Sequence, residues 1–177
     1  RSTPCGTLSP YTTLFRSSIT YPFPDQRVTI VSFDGKLYVS WTEEEALEST
    51  IDQVQVAVYD PASPSNGWNL VDGNPSGGLR FGGEEPTNQG TLEIVGDSLY
   101  AVWVQTSEVG QVRAAKYNGN DSAPSWTDLG GVVNYDEFAA AASPDIAEFN
   151  GDLLVVWEED NDIRSKAYDP GTGNWSQ

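Results

Sequence analysis

The sequence contains no histidine and no methionine, a single cysteine, and only three lysines, Lys36, Lys116 and Lys166. Without histidine there is no Ser-His-Asp or Cys-His machinery and no imidazole-based metal site. Cys5 stands alone and closes no disulfide within the chain. Basic residues number nine against 26 acidic ones, a formal net charge of −17. No Lys/Arg cluster is available to neutralise phosphates, so neither nucleic acid nor an anionic membrane surface is expected as a partner. No run approaches the roughly 18 apolar residues that a spanning helix needs, so membrane insertion is not expected. No segment combines a basic start, an apolar run and a small-residue cleavage site.

Aromatics and turn formers are present in quantity. Six Trp and eight Tyr need a core to pack in, and 17 Gly with 11 Pro point to many turns. A hydrophobic fraction of 38% is too high for a disordered chain. The acidic excess reads as a solvated surface.

Residues 1–17, RSTPCGTLSPYTTLFRS, carry no acidic side chain, unlike the densely acidic remainder. The stretch TLSPYTTLFRS resembles the translation of a sequencing-adapter oligonucleotide. Residues 1–17 are therefore set apart from the fold as adapter-derived or a disordered tail.

The rest of the chain repeats itself. One unit runs VTIVSFDGKLYVSW to QVQVAVYDPASPSNGW, a second TLEIVGDSLYAVW to QVRAAKYNGNDSAPSW, and a third PDIAEFNGDLLVVW to DIRSKAYDPGTGNW. Trp41, Trp103 and Trp157 match, as do Tyr59, Tyr117 and Tyr168, and each unit closes on a further Trp at 68, 126 or 175. Self-similarity at a long period marks solenoids, propellers or arrays.

Each unit reads as strands. Asp34-Gly35, Gly96-Asp97 and Asn150-Gly151 supply the positive φ of two-residue hairpin turns. The aromatic and β-branched runs that follow, Leu37 to Trp41, Leu99 to Trp103 and Leu153 to Trp157, favour strands buried on both faces. A third strand alternates through Val54, Val56 and Val58, and the closing Trp opens a fourth. The best helical candidate, Ala139 to Ala142, is four residues long and ends near Pro144. The predicted fold class is all-β: three four-stranded antiparallel blades of an incomplete β-propeller, over residues 18–177, with blades at about 22–73, 80–131 and 141–177. A turn centred on Asp160-Asn161 sets Trp157 opposite Arg164 and Leu153 opposite Tyr168. The same offset pairs Trp103 with Arg113 and Trp41 with Gln55, and predicts arginine stacking on the indoles. The recurring Trp41, Trp103 and Trp157 read as core.

The stretch from Tyr168 to Trp175 resembles the Tyr-to-Trp turn of kelch repeats, and Tyr59-Asp60-Pro61 begins the same way. The Gly-Gly pair of kelch blades is replaced by Thr42-Glu43, Val104-Gln105 and Glu158-Glu159. A broader resemblance, over roughly residues 22 to 177, is to bacterial surface propellers with LYVxW and QIRxxxY blades. It implies an extracellular or cell-surface setting and no particular reaction.

Chemistry-bearing residues gather in hairpin loops. Glu43 and Glu44 in the first unit, and Glu158, Glu159, Asp160 and Asp162 in the third, offer oxygen ligands. They lack the spacing and glycine of a calcium loop, and they stand as candidate ligand-binding loops with no metal, cofactor or catalytic role assigned. Asn120-Asp-Ser122 and Asn174-Trp-Ser176 match the glycosylation acceptor pattern. A closed propeller has four to eight blades, so these three imply either a longer gene, the favoured expectation, or ring closure by self-association through exposed blade faces. The leading functional expectation is a non-catalytic recognition or scaffold propeller, binding carbohydrate or protein. The alternatives are part of a propeller hydrolase or lyase with catalytic residues partly in other blades, and a purely structural array. Carboxylates converging at the starts of the innermost strands, such as Pro144-Asp145, would favour the enzyme.

Overall fold

The computed structural model describes residues 27–44, 52–60, 67–74, 78–82, 85–106 and 109–176. Blade one comprises β1 (Thr29–Phe33), β2 (Lys36–Glu44), β3 (Asp52–Tyr59) and β4 (Trp68–Leu70). Blade two comprises β5 (Thr87–Val95), β6 (Ser98–Thr106), β7 (Gly110–Tyr117) and β8 (Trp126–Val132). Blade three comprises β9 (Ala141–Phe149), β10 (Asp152–Glu159), β11 (Asp162–Asp169) and β12 (Asn174–Trp175). Each blade is a four-stranded antiparallel meander in sequence order. Among the described residues there is no helix, and Ala141 and Ala142 of the one helical candidate open β9 instead.

The hairpin turns form where the local chemistry predicts them. Asp34 and Gly35 have φ of 49° and 72°, Asn150 and Gly151 56° and 91°, and Asp160 and Asn161 51° and 66°. Two consecutive positive φ values match the right-handed twist of the flanking strands.

The blades stack face to face. β5 touches β1, β2 and β3, while β9 touches β5, β6 and β7, so the first strand of each blade is the innermost. One apolar cluster joins Tyr38, Val54 and Val56 of blade one to Leu99, Ala101 and Trp103 of blade two. A second joins Tyr100, Val102 and Val112 of blade two to Leu153, Val155 and Trp157 of blade three. Alternate residues of one strand therefore serve two different interfaces, which is why these strands read as continuous apolar runs. We call the side carrying Leu153, Val155 and Trp157 the leading face of its blade, and the opposite side the trailing face.

The closing tryptophans latch blade to blade. Trp126 Nε1 donates to the Val71 carbonyl of blade one at 2.7 Å. Trp175 Nε1 repeats the contact on the Leu129 carbonyl of blade two, also at 2.7 Å. Within each blade the same Trp packs on the matching Tyr, with centroids 5.4 Å apart for Tyr59–Trp68, 5.0 Å for Tyr117–Trp126 and 5.3 Å for Tyr168–Trp175.

The predicted register holds: Trp157 lies opposite Arg164, Leu153 opposite Tyr168, Trp103 opposite Arg113 and Trp41 opposite Gln55. The expected stacking of arginine on tryptophan does not form. Trp103 and Trp157 are 0% and 1% exposed, and their rings are already covered by aromatics of the preceding inter-blade loop. Phe81 packs on Trp103 at 5.5 Å and Tyr135 on Trp157 at 5.9 Å. Arg113 turns along its own strand to Gln111 at 3.2 Å, and Arg164 to Asp162 at 3.0 Å. The cations that sit over rings are lysines, Lys116 on Tyr100 and Lys166 on Tyr135.

Candidate functional site

Antiparallel pairing puts the starts of the innermost strands at the same end of the blades as the β2–β3, β6–β7 and β10–β11 connections. Two equivalent bulges shape this end. The β5–β6 register shifts between Asn88 and Thr91, and the β9–β10 register shifts where Val156 pairs with Asp145 and Glu158 with Ala142. The first bulge residue of each, Gln89 and Ser143, has positive φ, 55° and 51°. Such bulges bend a strand and re-aim its side chains. Gly90 completes the first bulge, and a Cβ there would fall on Val54. Only glycine lets the innermost strand of blade two approach blade one this closely.

With the bulges aligned, Thr29, Thr91 and Asp145 occupy one equivalent slot in the three blades, opposite Ser40, Val102 and Val156 respectively. Thr29 Oγ1 and Thr91 Oγ1 lie 3.3 Å apart. Arg27 Nη1 donates to the Pro144 carbonyl at 3.2 Å and lies 3.8 Å from Asp145 Oδ2. The Gln89 carboxamide oxygen accepts from the Ser143 amide. This axial end thus gathers a guanidinium, two hydroxyls and one carboxylate from three blades. The Arg27 and Asp145 side chains remain 44% and 60% exposed, open to a ligand.

The candidate loop acids sit at this same end but do not converge. Glu158 and Asp160 are exposed around the β10–β11 turn, and Asp162 is taken up by Arg164 at 3.0 Å. Glu43 Oε2 accepts from Trp41 Nε1 at 3.1 Å. Glu44 ends β2, and its side chain lies outside the described residues. Among the described residues no group of three acidic or Cys side chains is placed to hold a metal ion.

Glu159 is committed to the fold. It is 3% exposed. One carboxylate oxygen accepts from Trp157 Nε1 at 2.7 Å and the Tyr135 amide at 3.1 Å, the other from the Asp136 amide at 3.0 Å. Gln105 does the same work in blade two, accepting from the Phe81 amide at 3.1 Å and donating to the Phe81 carbonyl at 2.6 Å. Both clamp the loop that enters their own blade. The Gln105 amide nitrogen also donates to Glu85 Oε2 at 3.4 Å, and the Trp103 indole N–H is left without a partner.

At the opposite end lies a cluster that the repeats did not announce. Asp121, in the β7–β8 loop, accepts from Tyr38 Oη at 2.9 Å, Tyr117 Oη at 2.8 Å and Lys36 Nζ at 2.6 Å. Burial works against its charge, but the bonds from Lys36, Tyr117 and Tyr38 outweigh it and hold the carboxyl below its ordinary range. Burial first, then the bond to Asp121, pushes both phenols up. Both phenol hydroxyls are spent on Asp121, and Lys36 lies also 3.7 Å from Asp60, so this is a latch between blades one and two.

No family model and no curated protein matches the chain. Solved structures do. An alpha-L-arabinanase of Penicillium chrysogenum, complexed with arabinobiose, superposes with a TM-score of 0.55 at 14% identity, over 86% of this chain and 48% of that one. The GH93 alpha-L-arabinofuranosidase of Fusarium graminearum, also with arabinobiose, gives 0.56 at 12% identity, over 86% and 47%. A GH32 beta-fructofuranosidase of Bombyx mori, in complex with sucrose, gives 0.50 at 15%, over 83% and 35%. At these identities the likeness is one of fold, a run of β-propeller blades. The chain spans about half the length of the arabinanase and the arabinofuranosidase it resembles.

Proposed function

We propose that this chain is part of a carbohydrate-active propeller of the hydrolase kind, with the sugar seated at the axial end where the innermost strands begin. The observation that carries the reading is the slot shared by Thr29, Thr91 and Asp145, flanked by Arg27. It presents an exposed carboxylate and an exposed cation, with the half-buried Thr29 hydroxyl beside them and Thr91 buried beneath, groups of the kind that a sugar's hydroxyls engage. The fold likeness to proteins solved with arabinobiose supports an arabinose-containing ligand. Glycoside hydrolysis uses two carboxylates flanking the scissile bond. In this reading Asp145 is one of them, and the second lies outside the described residues.

A second reading, sugar recognition without turnover, is favoured by the same slot, where blades one and two carry threonine in place of a carboxylate. One experiment separates the two. Arabinobiose and linear arabinan are titrated calorimetrically into the protein and into Asp145→Asn and Thr91→Val, alongside a reducing-end assay on arabinan. The proposal expects binding weakened at least several-fold by either substitution, with any release of reducing ends abolished by Asp145→Asn. Binding without release supports recognition alone. No binding of any arabinose polymer refutes both.

A further inference from the structure

The junction of blades one and two shares a frame with the junction of blades two and three, but the two are filled differently. On the leading face of blade three, Lys166 reaches the loop that enters its own blade. Its Nζ donates to the Val133 carbonyl at 2.8 Å and the Asn134 carbonyl at 3.3 Å, and lies 4.4 Å from the centroid of the Tyr135 ring. Two carbonyls and a ring face make an ammonium site. Blade two repeats the frame. The Leu79 amide donates to the Val54 carbonyl as the Val133 amide does to the Val112 carbonyl. Phe81 covers Trp103 as Tyr135 covers Trp157. Leu79, Arg80 and Phe81 therefore stand for Val133, Asn134 and Tyr135. The lysine has no counterpart: Ala115, opposite Ala101, holds the place of Lys166, opposite Val155. No described residue donates to the carbonyl of Leu79 or Arg80.

A cavity of about 230 Å³ lies at this place, and Leu79, Arg80, Phe81, Trp126 and Asp72 line it. Asp72 is 8% exposed and accepts from the Asn74 amide at 3.0 Å and the Gly78 amide at 3.3 Å. Burial outweighs those bonds and pushes its carboxyl up, so a cation beside it is favourable. Arg80 has no structural task. Its counterpart Asn134 accepts from the Val112 amide at 2.8 Å and donates to the Ala139 carbonyl at 3.0 Å. In blade two the matching Val54 amide goes to Thr87 Oγ1 instead, at 2.8 Å. Arg80 meets no hydrogen-bond or ion-pair partner among the described residues.

We propose that this cavity binds a small amino acid as its zwitterion. The ammonium takes the place that Lys166 fills in blade three, on the Leu79 and Arg80 carbonyls, against the Phe81 ring and beside Asp72. The carboxylate meets the Arg80 guanidinium, whose fork matches it. The site holds one charge of each sign and neither is spent on the other, so a ligand of a single charge leaves one group unanswered. The cavity adjoins β4 and β8, the outermost strands of their blades. It is separate from the axial slot and independent of the sugar reading.

Titration of the full chain with L-alanine and with γ-aminobutyrate tests it, followed at the Trp126 indole N–H by nitrogen-15 NMR. n-Butylamine and butyrate serve as ligands of one charge each. The expected result is a saturable shift with an amino acid, and binding weaker by about tenfold or more for either singly charged compound. Arg80→Gln changes a side chain with no partner to lose. It should weaken the amino acid several-fold and leave n-butylamine unchanged. Asp72→Asn keeps a carboxamide oxygen for the backbone amides, and should weaken the amino acid and n-butylamine alike. An unaltered backbone amide spectrum for Arg80→Gln keeps the result readable even if Asp72→Asn disturbs its loop. No saturable shift with either amino acid, n-butylamine or butyrate bound as tightly as the amino acid, or binding untouched by Arg80→Gln would each overturn the proposal.

Discussion

Replacing Asp121 by alanine removes the acceptor for three donors at once. Tyr38 and Tyr117 are 2% and 3% exposed, so their hydroxyls cannot turn to water. A buried donor left unpaired costs about 1–3 kcal/mol. The Lys36 contact is partly open to solvent, with the lysine side chain 30% and Asp121 18% exposed, and contributes at most about 1 kcal/mol. The sum is a loss of roughly 3–5 kcal/mol, a large share of a typical domain stability of about 5–15 kcal/mol. For a chain of this size it lowers the thermal midpoint by about 6–20 °C. The discriminating assay is a double-mutant cycle in urea with Tyr38→Phe. In the parent, Tyr38→Phe removes a satisfied hydroxyl and destabilises. In the Asp121→Ala background it removes an orphaned one, and is neutral or stabilising. The pH dependence follows in sign. A carboxyl held below its unfolded value contributes stability that is present above the ordinary aspartate range and is lost as pH falls through the folded pKa. The gap between parent and Asp121→Asn therefore narrows below about pH 4. Additive effects of the two substitutions, or a gap that widens in acid, would refute the latch.

Glu159→Ala is expected to cost about 3 kcal/mol or more, since it strands two backbone amides and the Trp157 indole, whereas Glu159→Gln costs about 1 kcal/mol. Hydrogen exchange should quicken at Tyr135 and Asp136 and stay unchanged at Phe81, which Gln105 holds. Gly90→Ala drives a methyl into Val54 and is expected to lower stability by about 1–3 kcal/mol in urea, with part recovered in Gly90→Ala/Val54→Ala. Trp175→Phe loses the bond to the Leu129 carbonyl at the junction of blades two and three. It should cost about 1 kcal/mol in urea melts beyond the effect of ring size.

The blades were legible because their determinants are local and repeated. Asp34-Gly35 and Asn150-Gly151 fix turn type through φ alone, and the constant distance from Leu153 to Tyr168 fixes register once the turn is placed. Burial of Trp103 and Trp157 follows from strands that must serve a face on each side. The arginine–tryptophan contacts were misjudged because opposition within a sheet says nothing of what the next loop lays over the ring. The role of Glu159 was visible in outline, since Trp41-Thr-Glu43, Trp103-Val-Gln105 and Trp157-Glu-Glu159 align and only a structural task recurs in that way. Reading the loop acids as oxygen ligands for a bound partner hid it. The axial slot was partly open to inspection, because Thr29, Thr91 and Asp145 stand at one place in the repeat. Their register follows from the hairpins, whereas the bulges at Gln89 and Ser143 just before them depend on inter-blade contacts no single strand encodes. Asp121 had no signal, because the same place after the matching Tyr holds Ser63 and Thr172 in the other two units rather than an acid.

The most direct test of the account is to map arabinobiose onto the backbone by nitrogen-15 NMR. Amides of Thr29, Thr91 and Asp145 should move with one common dissociation constant while the Asp121 latch stays still. Shifts confined to the outer strands, or to the latch end, would contradict it.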